Sequence, residues 1–322
     1  MAPPGLAARD RRNAGRGRAG GGGPGARVSG TGGETVFAVA DARFAYPSQA
    51  PCLDGVSFAV GRGERLALVG ANGSGKSTLL HLLDGLYFPA SGAVSYLGQP
   101  LTEAALEAAP FGPRFRADVG FLFQNSDAQL FCPTVEDELA FGPLQMGWRQ
   151  DEVERRIADT LALLDIAKLR ARAPASLSAG EKKRVALASL LVLAPSVLLL
   201  DEPTGGLDPR SQSLLLEILD GLHVRGITLV TATHDLTLLP HLADRVLVLS
   251  EEHRLVADGT PDNVLADTGL LLAVNLIHAH AHRHGRLVHS HPHQHVVAHE
   301  HTHDDGSGHT HGDPDDGGGS EP

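Results

Sequence analysis

Nine consecutive residues, Gly70-Ala71-Asn72-Gly73-Ser74-Gly75-Lys76-Ser77-Thr78, constrain this chain more than any other stretch, because they match G-x-x-x-x-G-K-[ST]. Glycines let the backbone curl until successive N–H groups face one point, and a following helix adds the positive end of its dipole. Such a concavity suits the phosphates of a nucleotide. In it Lys76 would reach the β- and γ-phosphates, and the Ser77 hydroxyl would hold Mg²⁺. The motif carries weight only between a strand and a helix. Here Arg65–Val69 reads as a short buried strand and Leu79–Leu83 as a helix.

Charge is unevenly distributed over the 322 residues. The formal net charge is −11, yet residues 1–33 carry six Arg against one Asp, and residues 278–322 carry two Arg against seven acids. The body between is acidic, which argues against nucleic acid as a partner. With only Cys52 and Cys132 there is no disulfide framework and no thiolate zinc site, so a reduced, cytosolic setting is the default. The longest apolar stretch, Ala186 to Leu200, is broken by Pro195 and is too short to span a bilayer. Work at a membrane would need a partner that supplies the spanning helices.

Residues 1–34 are Gly/Ala/Arg/Pro-rich without apolar periodicity, and are expected to be disordered. They lack the apolar segment of a secretory signal. The folded body is expected over 35–277. Strands are predicted at Arg65–Val69, Val119–Phe123, Val197–Leu200, Ile227–Thr231 and Arg245–Leu249, alternating with helices. That order predicts an α/β fold, a largely parallel sheet with helices on both faces. Val36–Phe44, Val56–Val60 and Ala93–Leu97 read as an antiparallel edge sheet. Residues 134–193 read as an inserted helical subdomain, in which Arg149–Leu164 sets Val153, Ile157, Leu161 and Leu164 on one face. From Ile277 the composition changes, and a disordered His-rich tail is expected over 278–322.

Val197-Leu198-Leu199-Leu200 runs directly into Asp201-Glu202. A buried strand ending in an acid pair puts carboxylates at the sheet edge where α/β folds bind ligands. Asp201 would bind Mg²⁺ through its waters, and Glu202 would orient or deprotonate an attacking water.

Further segments fall in a fixed order around these two. Leu177-Ser178-Ala179-Gly180-Glu181 precedes a helix and closely resembles the LSGGQ-type signature of ABC ATPases. Asp201-Glu202-Pro203-Thr204 and Gly206-Leu207-Asp208-Pro209 resemble that family's Walker B segment and D-loop. His234 matches the switch histidine, Gln124 the Q-loop glutamine, and Tyr46 the aromatic that stacks on adenine. The resemblance covers about 35–260, and it implies a P-loop NTPase core that hydrolyses ATP with Mg²⁺. It implies a catalytic set of Glu202, His234, Gln124 and Lys76, and an Mg²⁺ site of Ser77, Gln124 and Asp201. It also implies that two cassettes meet head to tail. Ser178 and the Gly180 N–H of one, with Asp208 beside them, would then complete the site of the other. Two positions depart from the signature: Ala179 replaces a glycine, and Glu181 replaces a glutamine.

Within that family, Phe123-Gln124-Asn125-Ser126-Asp127-Ala128-Gln129-Leu130-Phe131, continuing to Phe141-Gly142-Pro143, resembles the ATPase subunits of energy-coupling factor (ECF) importers. The likeness implies a groove for a coupling helix of a transmembrane protein, and a peripheral seat on the cytoplasmic face of the cell membrane.

Thirteen of the eighteen histidines lie between His278 and His311. His278, His280, His282 and His284 alternate with other residues, as do His289, His291, His293 and His295; then come His299, His301, His303, His309 and His311. Imidazole favours Ni²⁺, Co²⁺, Zn²⁺ and Cu²⁺ over Mg²⁺ or Ca²⁺. The interleaved Ala, Pro, Gly and Asp argue against a stable helix or strand, so several weak sites on a flexible chain are expected. Similar tails occur in the nickel and cobalt branch of ECF importers. That branch implies a second ATPase subunit, identical or paralogous, a coupling membrane protein and a metal-binding membrane component. The competing readings are another ABC transporter with an incidental tail, a nickel-delivering P-loop GTPase, and a soluble ABC protein of translation or DNA repair. No Asn-Lys-x-Asp guanine-reading motif is present, and only one phosphate loop exists.

Overall fold

The computed structural model describes residues 34–284 and 287–293, and over 279–284 and 287–293 it describes the backbone alone. Twelve strands are labelled in chain order: β1 Thr35–Ala45, β2 Pro51–Gly61, β3 Arg65–Val69, β4 Ser91–Tyr96, β5 Gln99–Pro100, β6 Val119–Leu122, β7 Val197–Asp201, β8 Thr228–Thr233, β9 Arg245–Leu249, β10 Leu255–Gly259, β11 His278–His284 and β12 Leu287–His293. One sheet has the order β10-β9-β3-β8-β7-β6, and a second has the order β2-β1-β4-β5. In the first, β9, β3, β8, β7 and β6 are mutually parallel and only β10 is antiparallel.

Period-two alternation sorts the central strands between cores. Leu66, Leu68, Val197 and Leu199 face one cluster, which also holds Leu79, Leu80 and Leu83 of helix Lys76–Leu83 and Val36, Phe37, Val56 and Phe58 of β1 and β2. This side of the parallel sheet is therefore covered by that helix and the antiparallel sheet, rather than by helices alone. The apolar faces of β1 and β2 need a partner and find it on this face, so the expected antiparallel sheet is present and also covers the parallel one. Leu198 and Leu200 face the opposite cluster with Leu122 and Leu229.

That opposite cluster also holds Leu139, Val153, Ile157, Leu161, Leu164, Val185 and Leu187. The helical stretch thus shares its core with the sheet instead of enclosing one of its own. Helix Gln150–Leu163 carries the expected stripe, with Val153, Ile157, Leu161 and Leu164 all buried. Helix Ala179–Leu191 is the bridge, packing against both Val135–Gln145 and β6.

Among the described residues no helix is long and apolar enough to cross a membrane. One departure concerns the histidine-rich segment. Its first part forms an antiparallel hairpin, β11 with β12, where no regular structure was expected. Alternation of His with Ala, Arg, Val and Ser has the two-residue period of a strand, and this outweighs the poor strand propensity of Ala279, Ala281 and Pro292.

Candidate functional site

Three parallel strands end together and build one side of a cleft of about 480 Å³. Val69 pairs with Thr233, and Asp201 with Ala232, so the next residues of β3, β7 and β8 emerge at one edge. Gly70, Glu202 and His234 are those residues. Tyr46, Gln49, Cys52, Asn72, Gly73, Gly75, Lys76, Ser77, Thr78, Gln124, Glu202 and His234 line the cleft.

The loop after β3 needs its glycines for contact reasons. A Cβ on Gly75 would sit 2.4 Å from the Cys52 carbonyl oxygen, and the residue has φ of +106°. A Cβ on Gly70 would lie 2.5 Å from the Leu249 carbonyl oxygen and from Ser74 Oγ. Gly75 caps helix Lys76–Leu83 without a side-chain hydrogen bond. The first N–H groups of that helix therefore remain available for an anion. Lys76 Nζ donates to the carbonyls of Gly70 (2.8 Å) and Ala71 (3.1 Å), which holds the ammonium inside the loop. Burial pulls its pKa below the ordinary lysine value, while the Glu202 and Asp201 carboxylates oppose that shift. A nucleotide's phosphates would supply the counter-charge that this buried cation needs.

Glu202 and His234 form a pair, with Oε1 2.8 Å from Nδ1. Glu202 is buried and has φ of +44°, a left-handed conformation that costs about 1–3 kcal/mol for a residue with a side chain. Its N–H donates to the Ala232 carbonyl (3.0 Å), which helps hold that backbone in place. Asp201 is also buried, and its Oδ1 has no hydrogen-bond partner among the described residues. An orphaned carboxylate oxygen at this edge suits a hydrated cation. Tyr46 shares a hydrogen bond of 3.1 Å with Thr78, and its ring meets Phe44 and Tyr87 edge-on.

Ser178, Gly180 and Asp208 line no part of this cleft. Ser178 instead caps helix Ala179–Leu191. Its Oγ accepts from the Glu181 N–H, while Glu181 Oε2 accepts from the Ser178 N–H, closing a capping box. A carboxylate at the departing signature position therefore keeps the cap, where Glu181 accepts as a glutamine oxygen could, and these bonds hold its pKa below the usual carboxylate value. The Ser178 oxygen accepts in the cap, so its O–H can still donate outward. A Cβ on Gly180 would fall 2.5 Å from Ser211 Oγ, and that hydroxyl donates to Asp208 Oδ2 (2.6 Å). The signature glycine thus lets two helix starts approach each other.

Several contributors carry no sequence signal of their own. Lys183 donates to the carbonyls of Phe123 (3.2 Å) and Gln124 (2.8 Å), while Lys182 pairs with Asp127 (2.5 Å). Consecutive lysines thereby tie the signature helix to the segment bearing Gln124. Gln49 and Cys52 line the cleft from the first hairpin. His253 Nδ1 lies 3.3 Å from the Ser74 carbonyl, bracing the phosphate loop from behind. The long sequence separations hide these contacts. Of the tail histidines, His295, His299, His301, His303, His309 and His311 lie outside the described residues. Among the residues whose side chains are described, which leave out 279–293, no three His, Cys, Asp or Glu are grouped to hold a metal ion.

Fold and cleft together define a P-loop nucleotide-binding cassette. A profile described as ABC transporter matches residues 53–205. The nickel import ATP-binding protein NikO of Rhodobacter capsulatus is 49% identical over 245 residues, covering 75% of this chain and 96% of that protein. The energy-coupling factor transporter ATP-binding protein EcfA of Methanothermobacter thermautotrophicus is 42% identical over 236 residues, covering 73% of this chain and 74% of that protein. A solved structure of cbiO1 from Clostridium perfringens, described as part of the ABC transporter complex cbiONQ, has a TM-score of 0.66 at 34% identity, covering 76% of this chain and 95% of that chain. This chain belongs to the ABC transporter family as an ATP-binding subunit, and it is an ATPase.

Two outcomes follow from the bracing contacts. His253→Ala should raise the KM for ATP about fivefold with kcat little changed, the effect of losing one hydrogen bond of about 1 kcal/mol. Steady-state ATPase kinetics measure it. Burial pushes the Lys183 ammonium down to about 8. Between that value and the unfolded lysine value of about 10.4 the unfolded chain holds more protons, so stability should rise with pH in this window. Urea midpoints of wild type and Lys183→Met should therefore diverge in favour of wild type as pH increases from about 8 to about 10.

Proposed function

We propose that this chain energises an ECF-type importer of nickel or cobalt ions. The observation that carries the reading is the thirteen histidines placed behind an ABC cassette. The names of the Rhodobacter and Methanothermobacter relatives, nickel import and energy-coupling factor, support it.

In the cleft, Lys76 and the loop N–H groups bind the phosphates, and Tyr46 stacks on the adenine. Ser77, Gln124 and Asp201 would hold a Mg²⁺ ion, which would supply positive charge against the phosphates. Glu202 takes the proton of the attacking water, and His234 holds that carboxylate in position across their 2.8 Å contact. Ser178, Gly180 and Asp208 stand outside their own chain's cleft, so they serve the γ-phosphate of a second cassette, identical or paralogous. ATP then joins two subunits, and hydrolysis releases them, a shift between open and closed populations driven by differential binding.

An exposed apolar patch supplies a docking surface for the membrane partner. Phe131 (66% exposed) and Phe141 (44%) pack edge to face with centroids 5.0 Å apart, and Leu144 extends the patch. The buried Glu138 carboxylate accepts the N–H groups of Phe131 and Cys132 and holds the loop that projects Phe131. Apolar rings kept at a surface this way mark an interaction site. The coupling protein sits here, and the chain lies peripherally on the cytoplasmic face of the membrane.

Glu202→Gln should retain ATP binding while turnover falls about 100-fold or more, the usual worth of a positioned general base. Turnover like wild type would remove Glu202 from that role. Truncation after Ile277 should spare ATPase activity and abolish most Ni²⁺ binding in calorimetry. A truncated chain that binds as much nickel as wild type would leave an ABC ATPase with an incidental tail.

A further inference from the structure

The hairpin β11–β12 gives the histidine segment an order that composition alone does not. Its backbone register opposes His278 to His293, His280 to His291, and His282 to His289. Residues directly opposite in an antiparallel pair lie on the same face, with Cβ atoms about 4.5–5.5 Å apart. Residues two apart on one strand share that face too, about 7 Å along. The register therefore places all six histidines on one face of the ribbon. Ala279, Ala281 and Arg283, opposed by Pro292, Ser290 and Val288, take the other face.

We infer that His278/His293, His280/His291 and His282/His289 form a ladder of cross-strand imidazole pairs that binds nickel-class divalent ions. The inference rests on the reading of the tail as a metal binder and specifies where and how it binds. Each register position brings together two histidines, and imidazole nitrogen is the donor type that Ni²⁺, Co²⁺, Cu²⁺ and Zn²⁺ accept and Mg²⁺ does not favour. An isolated two-stranded hairpin is marginally stable in water, so an ion held between its strands also closes the ribbon. A one-residue change of parity moves a histidine to the opposite face while leaving composition unaltered. This separates a ladder from a flexible histidine-rich chain, for which only the number of imidazoles matters.

The test uses the full chain and NiCl₂ alone as the probe. One variant combines A279H, H280A, A281H and H282A, which keeps the histidine count and shifts the parity of β11. A second combines H289A and H291A on the partner strand. Calorimetry should find nickel affinity at the tightest sites lowered about tenfold or more in each, the equivalent of about 1.4 kcal/mol. Combining the two sets should add little further loss, because both break the same pairs. In hydrogen exchange read by mass spectrometry, Ni²⁺ should slow exchange across 278–293 in wild type and not in the parity variant. Unchanged affinity and stoichiometry in the parity variant would overturn the ladder. If truncation after Ile277 still abolishes binding in that case, the tail reading stands alone. If truncation has no effect, both readings fall.

Discussion

The parallel register of β3, β8 and β7 is the constraint from which the site descends. Pairing of Val69 with Thr233 and of Asp201 with Ala232 brings three strand ends level. Each chemical group lies just beyond one of those ends: the phosphate loop after β3, Glu202 after β7, His234 after β8. A slip of two residues in either pairing would move a group by about 7 Å, farther than any hydrogen bond can bridge. The alternating apolar residues of the strands oppose such slippage, because each face is committed to a different core.

Backbone conformation is the second determinant. Gly75 has φ of +106° where the Cys52 carbonyl leaves no room for a side chain, and Glu202 keeps a left-handed backbone despite having one. The strained Glu202 persists because its neighbours are held from both sides. Leu198 and Leu200 are buried in one core, Val197 and Leu199 in another, and the Glu202 N–H is bonded to Ala232. The site's rigidity therefore comes from packing at a distance from it.

Contacts also run outward from the cleft. Lys183 holds the carbonyls of Phe123 and Gln124, and Lys182 holds Asp127, so the signature helix is tied to the segment bearing Gln124. Helix Val135–Gln145, which bears Phe141, packs against that same signature helix. A change at the nucleotide thus has a continuous mechanical route to the exposed aromatic patch.

The phosphate loop, the acid pair after β7 and the bounds of β3 and β9 were legible in the sequence, because each is a local pattern of glycines, charge or short apolar runs. Where local pattern and tertiary environment part, strand bounds follow the environment. β8 extends to Thr233, two residues beyond the expected Thr231, because Thr231 and Thr233 are fully buried in the central sheet. β2 begins at Pro51, ahead of the expected Val56, because Gly55 at φ +72° lets the strand continue across an irregular register. Sequence by itself determined which chemical groups this protein carries and in what order. Only the tertiary structure decided that the antiparallel sheet covers a face and that His253 and Lys183 brace the site. Those outcomes depend on contacts between residues far apart in the chain, and no local pattern encodes them.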